Sequence, residues 1–173
     1  MIAAVERIAR LVARGCAVAG LGLLLCFAVA TIADGLLRFF FSHPIDAVND
    51  LGGVVAAVAV ASCIPLVMLE RGNITIRFVA TFIGPRAGRV ADLAAGLLVE
   101  LILVGMAWQF VRFATQAGKD GIATWMLHVP TGPFWWVVAG MICVGVAVQA
   151  VVILRYLAGS TPAQTDRPVE VGP

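Results

Sequence analysis

Four apolar runs, each long enough to cross a bilayer, constrain this chain more than any other feature. Residues 15–33 carry no charge between Arg14 and Asp34, and residues 51–69 carry none between Asp50 and Glu70. Residues 93–111 are interrupted only by Glu100 and Gln109, and residues 129–154 hold no charge before Arg155. About 20 apolar residues in a helix cross the roughly 30 Å hydrocarbon layer. Backbone in lipid can satisfy its hydrogen bonds only as a helix or a closed barrel. These runs lack the two-residue alternation of a barrel strand. The sequence therefore predicts an all-α integral membrane protein with four transmembrane helices, at about 15–33, 51–69, 91–113 and 130–154. The charge count supports this: 12 Lys/Arg and 10 Asp/Glu in 173 residues is about half the density of a soluble domain. That excludes a disordered chain, a coiled coil and an ordinary soluble enzyme, and a net charge of +2 gives no reason to expect a nucleic-acid partner.

The few cations fix an expected orientation. With the N-terminus inside, Arg7, Arg10, Arg14, Arg71, Arg77, Arg86, Arg89, Arg155 and Arg167 lie on the cytoplasmic side. Only Arg38, Arg112 and Lys119 lie on the other. The excess of cations on cytoplasmic loops places both termini in the cytoplasm. Trp108, Trp125, Trp135 and Trp136 all fall towards the outer ends of spans three and four, where indoles anchor among lipid headgroups. The basic residues before the first run resemble a signal peptide, but the run exceeds the 7–15 residues of a signal core, so it is expected to be retained.

Residues 1–14 form an amphipathic cytoplasmic segment, with Ile2, Val5, Ile8, Leu11 and Val12 along one side. Residues 73–84 place Ile74, Phe78, Val79, Phe82 and Ile83 at helical spacing before Gly84-Pro85. Both are expected to be helices lying in the membrane interface, with lipid as their partner. Residues 159–173 are rich in Pro and Thr and are expected to be a disordered tail. Pro65 is positioned to kink span two. Pro130 and Pro133 suit the entry to span four.

Catalytic chemistry is scarce. Cys16, Cys26, Cys63 and Cys143 lie inside the spans without a CxxC pair, and buried thiols of that kind pack as small apolar groups. His43 and His128 fall in the outer loops, not in the spans where axial haem ligands would sit. Small residues at Gly53, Ala57 and Ala61, and at Ala139, Cys143 and Ala147, provide surfaces on which helices can approach closely. Glu100 is the one acid deep in a span, and a charge at the bilayer centre costs about 2.5–3.5 kcal/mol on insertion scales. It is either a relay for a proton or ion, or a structural hydrogen bond or subunit contact. Asp34 and Arg38 are one helical turn apart and can pair. Arg38 has a second option, a bridge to Asp50 across the first hairpin, in which case Arg38→Ala weakens assembly more than Arg112→Ala.

The chain resembles the small membrane subunit of tripartite ATP-independent periplasmic (TRAP) transporters, the DctQ-type family. The likeness lies in Arg38-Phe39 after span one, then Pro44, then an acid, Asp50, at the start of span two. It continues in Arg71-Gly72-Asn73-Ile74-Thr75-Ile76 after span two and in Pro130-Thr131-Gly132-Pro133-Phe134-Trp135-Trp136 before span four. The family often has glutamate at the place of Asp50 and histidine at the place of Asn73, and it offers no counterpart for Glu100. The resemblance implies a multi-pass protein of the bacterial inner membrane that is not an enzyme and holds no cofactor. Its implied partners are a large multi-span membrane subunit, which holds the substrate and sodium sites, and a periplasmic binding protein, which delivers an organic acid. Arg38, Asp34, Pro44, Asp50, Gly72, Asn73, Glu100, Pro130 and Trp135 are then structural or interface residues. The competing reading is a self-contained four-helix channel or proton-linked carrier built on Glu100. A membrane redox or assembly factor is a third class, disfavoured by the missing CxxC and span histidines.

Overall fold

The computed structural model describes residues 2–42, 45–70 and 85–157. His43, Pro44, Gly72, Asn73, the expected interfacial helix at 73–84 and the expected tail at 159–173 lie outside the described residues. Among the described residues there are four helices: α1 (Ile2–Phe41), α2 (Asp46–Leu69), α3 (Pro85–Lys119) and α4 (Gly132–Leu157). Each contains a segment long and apolar enough to cross a membrane.

The helices overrun the apolar runs, and the additions are polar or amphipathic. The expected short N-terminal helix and the first span form one continuous 40-residue helix, about 60 Å long. Between the two segments the sequence offers only Gly15. A single glycine costs about 1 kcal/mol in a helix but does not end one. α2 likewise begins at Asp46 and runs unbroken through Pro65 to Leu69. Pro65 is fully buried, so packing holds the helix across the hydrogen bond that proline cannot make. α3 leaves the helical path at Gly121, whose φ of +60° is a backbone state open to glycine. The Ile122 N–H there donates back to the Ala117 carbonyl at 3.1 Å, a common way to close a helix C-terminus.

The arrangement is an open row. α1 packs on α2, α2 packs on α4, and α4 packs on α3, with a slight further contact of α1 with α4. Helices α2 and α3 are consecutive in the chain but are not neighbours, and among the described residues α1 and α3 do not meet. The central seam joins Ala61 of α2 to Val138 and Ile142 of α4, with Ala57, Ile64, Ala107 and Phe110 packed around it. Of the small residues singled out in the sequence, Ala57, Ala61 and Ala139 do line internal contacts. Gly53 instead has open space around it, and Cys143 and Ala147 are exposed.

The tightest approach lies between α1 and α2. A Cβ at Gly20 would sit 2.6 Å from Ser62 Cβ and 2.9 Å from the Ala59 carbonyl oxygen. Ser62 turns its hydroxyl onto its own helix, donating to the Val58 carbonyl at 2.7 Å. Its polar atom is thereby satisfied and its small body faces Gly20. Close approach of small residues is a main source of helix association in lipid. Gly20→Val is therefore expected to destabilise the fold by about 1–3 kcal/mol, the usual cost of overpacking. Gly53→Val, facing open space, is expected to be neutral. Thermal aggregation in detergent compares the two, and equal midpoints would refute the close-packed α1–α2 contact.

Candidate functional site

The polar contacts gather at one end of the row, where the α1–α2 and α3–α4 connections both lie. Asp34, near the end of α1, is buried. Its Oδ1 accepts a hydrogen bond from the backbone N–H of Ile45, the residue that caps α2. This satisfies one of the N–H groups that open every helix. The contact fixes where α2 starts relative to α1. Oδ2 of Asp34 lies 3.8 Å from the Arg38 guanidinium. The pair links positions one turn apart on α1, and the Arg38 side chain is 58% exposed. An exposed pair of this kind is worth about 0–1 kcal/mol.

Arg38 does not bridge the hairpin to Asp50. Asp50 instead turns to the α3–α4 connection, where its Oδ2 accepts the consecutive N–H groups of Leu127 at 2.8 Å and Met126 at 3.1 Å. A carboxylate within reach of two adjacent backbone donors makes short, charge-assisted bonds, and these outcompete a guanidinium held by a flexible stem. The first turns of α2 thus hold two connections at once, its own through Ile45 and the α3–α4 connection through Asp50.

That second connection, residues 120–131, is built as a small hairpin. The Thr124 N–H donates to the Val129 carbonyl and the Thr131 N–H to the Ile122 carbonyl. The Thr124 hydroxyl accepts the Val129 N–H, and the Thr131 hydroxyl donates to the Ile122 carbonyl. Both threonines are buried. Pro130 pairs by a backbone bridge with Ala123, so it belongs to this hairpin and not to the entry of α4. Pro133 takes the place in the first turn, where a missing N–H costs little. The tip presents Trp125, 94% exposed, with Met126 and Leu127 beside it.

Trp135 does not sit free at a helix end. Its ring lies 4.8 Å edge-on from Phe113 and 6.3 Å from Phe110, clasping α3 to α4. With Gln109 these rings line an open groove of about 300 Å³. Towards the opposite end, Gln149 of α4 is buried and donates to the Gly96 carbonyl at 3.3 Å. Glu100 is half-buried, and its Oε2 is shielded from solvent with no hydrogen-bond partner among the described residues.

The structure therefore brings together Asp34 with Arg38, and Asp50 with the hairpin that holds Pro130. It leaves Glu100 on another part of the row, while Trp135 sits at the foot of that hairpin, its backbone N–H donating to the Thr131 carbonyl at 3.2 Å. Sequence reasoning did not single out Thr124, Thr131 or Gln149. Their signal was available as polar side chains inside or beside apolar runs, but the threonines' partners appear only once residues 120–131 close into a hairpin, and the partner of Gln149 is 53 residues away on α3. Among the described residues no group of three or more His, Cys, Asp or Glu side chains is placed to hold a metal ion.

Such a row of spanning helices, tied by polar contacts at one end, defines a polytopic membrane protein. The model of the family described as tripartite ATP-independent periplasmic transporters, DctQ component, matches residues 27–161. The chain belongs to that family and is a small TRAP transporter component. No curated protein and no solved structure matches it.

Asp50→Ala is expected to free the Met126 and Leu127 amides. Hydrogen bonds to a charged group are worth about 1.5–3 kcal/mol, so their hydrogen exchange should quicken by roughly 10- to 100-fold. Asp50→Asn, which keeps one carbonyl acceptor, should recover part of the protection. Unchanged exchange in Asp50→Ala would show that the tip is held by other contacts.

Proposed function

We propose that the chain is the non-transporting small subunit of a sodium-coupled TRAP transporter in a bacterial inner membrane. It scaffolds a large membrane subunit that takes up an organic acid of carboxylate type from a periplasmic binding protein. Both termini face the cytoplasm, and the end carrying residues 120–131 faces the periplasm. The observation that supports this reading is the open row. Two of its four helices, α1 and α3, touch one main neighbour each and expose most of their length. Secondary transporters usually enclose a midplane site between repeats and broken helices. The described helices run continuous through the spans and enclose no such site. A slab of this shape is suited to brace a larger moving body, and the sodium and substrate sites belong to that partner.

The test is whether the adjacent gene encodes a large protein of about ten or more spans, and co-expression of the two chains. The small subunit is expected to co-purify with that protein. Sodium-driven uptake in proteoliposomes should require both chains and the binding protein. Full uptake by the small subunit alone would overturn the scaffold reading.

Glu100 supports a second reading, a channel or proton-linked carrier made by this chain itself. Its unpartnered Oε2 is the observation behind it, since an unsatisfied acid in a span is a default functional site. Glu100→Gln removes the titrating group and keeps the shape. On the scaffold reading uptake by the intact complex is unchanged, whereas loss of uptake with normal assembly would favour the carrier.

A further inference from the structure

The tryptophans, alike in sequence, differ in their surroundings. Trp135 packs its ring on Phe110 and Phe113. Trp125 is 94% exposed at the tip of the 120–131 hairpin, and Met126, Leu127 and Ile122 of the same hairpin are exposed as well. The threonines of this hairpin are buried and spend their hydroxyls on its own backbone. Its inner side is thus polar and satisfied, and its tip is apolar and uncovered.

Two contacts set the height of that tip. α2 and α4 run in the same direction, and Ala61 packs against Ile142 across their seam. Ala61 lies eleven residues after Asp50, and Ile142 eleven after Thr131. At equal rise per residue, Asp50 and Thr131 stand at the same level. Asp50 in turn holds the Leu127 and Met126 N–H groups at 2.8 and 3.1 Å. The foot of the hairpin and its tip are therefore level, and the hairpin lies flat across the ends of α2 and α4. An upright hairpin would lift its tip about 10 Å above the Ala123–Pro130 bridge, three residues at the rise of a strand.

That level has a meaning in a membrane. Asp50 is the last charge before the apolar run 51–69, and the charge-free run 129–154 begins beside Thr131. The plane of the hairpin is thus the plane in which both spans pass from hydrocarbon to headgroups. An indole, with a large apolar body and one N–H donor, suits that layer. In water the same tip would leave three consecutive large apolar side chains hydrated.

We propose that the 120–131 hairpin is a membrane anchor whose partner is phospholipid. Trp125, Met126 and Leu127 enter the headgroup layer of the leaflet on that side, and Asp50 is the positioning residue that pins the tip at that depth. The sequence places all the tryptophans near headgroups; the structure singles out Trp125 and supplies the device that holds it there. The inference needs only that the helices span a membrane, so it is independent of the scaffold reading.

Fluorine NMR of the full chain, labelled with fluorotryptophan in nanodiscs of phosphatidylethanolamine and phosphatidylglycerol, tests it. Trp125→Phe and Trp135→Phe assign the two resonances. A phosphatidylcholine spin-labelled near its headgroup is expected to broaden the Trp125 resonance, and a water-soluble gadolinium chelate to leave it sharp. In Asp50→Ala the lipid broadening should be lost and chelate broadening should appear, with Asp50→Asn in between. An unmoved Trp135 resonance shows that a variant keeps its fold, and if Asp50→Ala fails that check, Asp50→Asn carries the comparison. Chelate broadening of Trp125 in the unsubstituted chain, with no effect of the lipid label, would overturn the anchor. So would protection of Trp125 that appears only when a periplasmic binding protein is added, since protein would then be the occupant. Lipid broadening unchanged in Asp50→Ala, with Trp135 unmoved, would overturn the positioning role of Asp50.

Discussion

The seam between α2 and α4 carries the rest of the fold. There Ala61 meets Val138 and Ile142, and this contact is what joins one hairpin to the other. α1 reaches the remainder of the protein mainly through α2, and α3 reaches it through α4. In lipid no hydrophobic force drives helices together, because the solvent is as apolar as the side chains. Close contact, dispersion and a few hydrogen bonds must do it. Small residues on α2 let α4 come near on one side, and Gly20 lets α1 come near on the other. α2 is thus packed on two flanks, and it runs as one helix through Pro65.

Polar contacts supplement the seam at the connection end. Asp34 ties the start of α2 to α1, and Asp50 ties the 120–131 hairpin to α2. The same short stretch of α2 therefore registers both connections. Each acid accepts backbone N–H groups, and Asp34 adds only a 3.8 Å contact with the exposed Arg38 guanidinium. A backbone donor is already ordered, so the bond costs little side-chain entropy, while a surface ion pair contributes only about 0–1 kcal/mol. The fold is held in register at this end and left open along both edges.

That combination links shape to role. A family known as a component of a tripartite transporter is represented here by a thin slab with two uncovered helices. One edge, α1, exposes Val18, Leu21, Leu25, Val29, Ile32 and Leu36 between its charged ends, a face that suits lipid. The other changes character halfway along α3, where amide and guanidinium groups appear beside an aromatic groove.

Much of the fold was legible in the sequence. Long apolar runs can satisfy their backbone only as helices, so four spans followed from residues 15–154 without further information. The family resemblance rested on Arg38-Phe39, Asp50 and the 130–136 entry, whose order survives in any arrangement of the helices. The partners of individual side chains did not follow. Asp50 is four residues from Asp46 and twelve from Arg38, yet it bonds to Met126 and Leu127. No local spacing encodes that contact, because it arises only once α4 lies beside α2. For the same reason the small residues at Cys143 and Ala147 face outward, and Gly20, unremarkable in sequence, marks the closest approach. Hydrophobicity determined which segments cross the membrane. Only tertiary packing, through the neighbour order α1–α2–α4–α3, decided which polar groups are satisfied inside the chain.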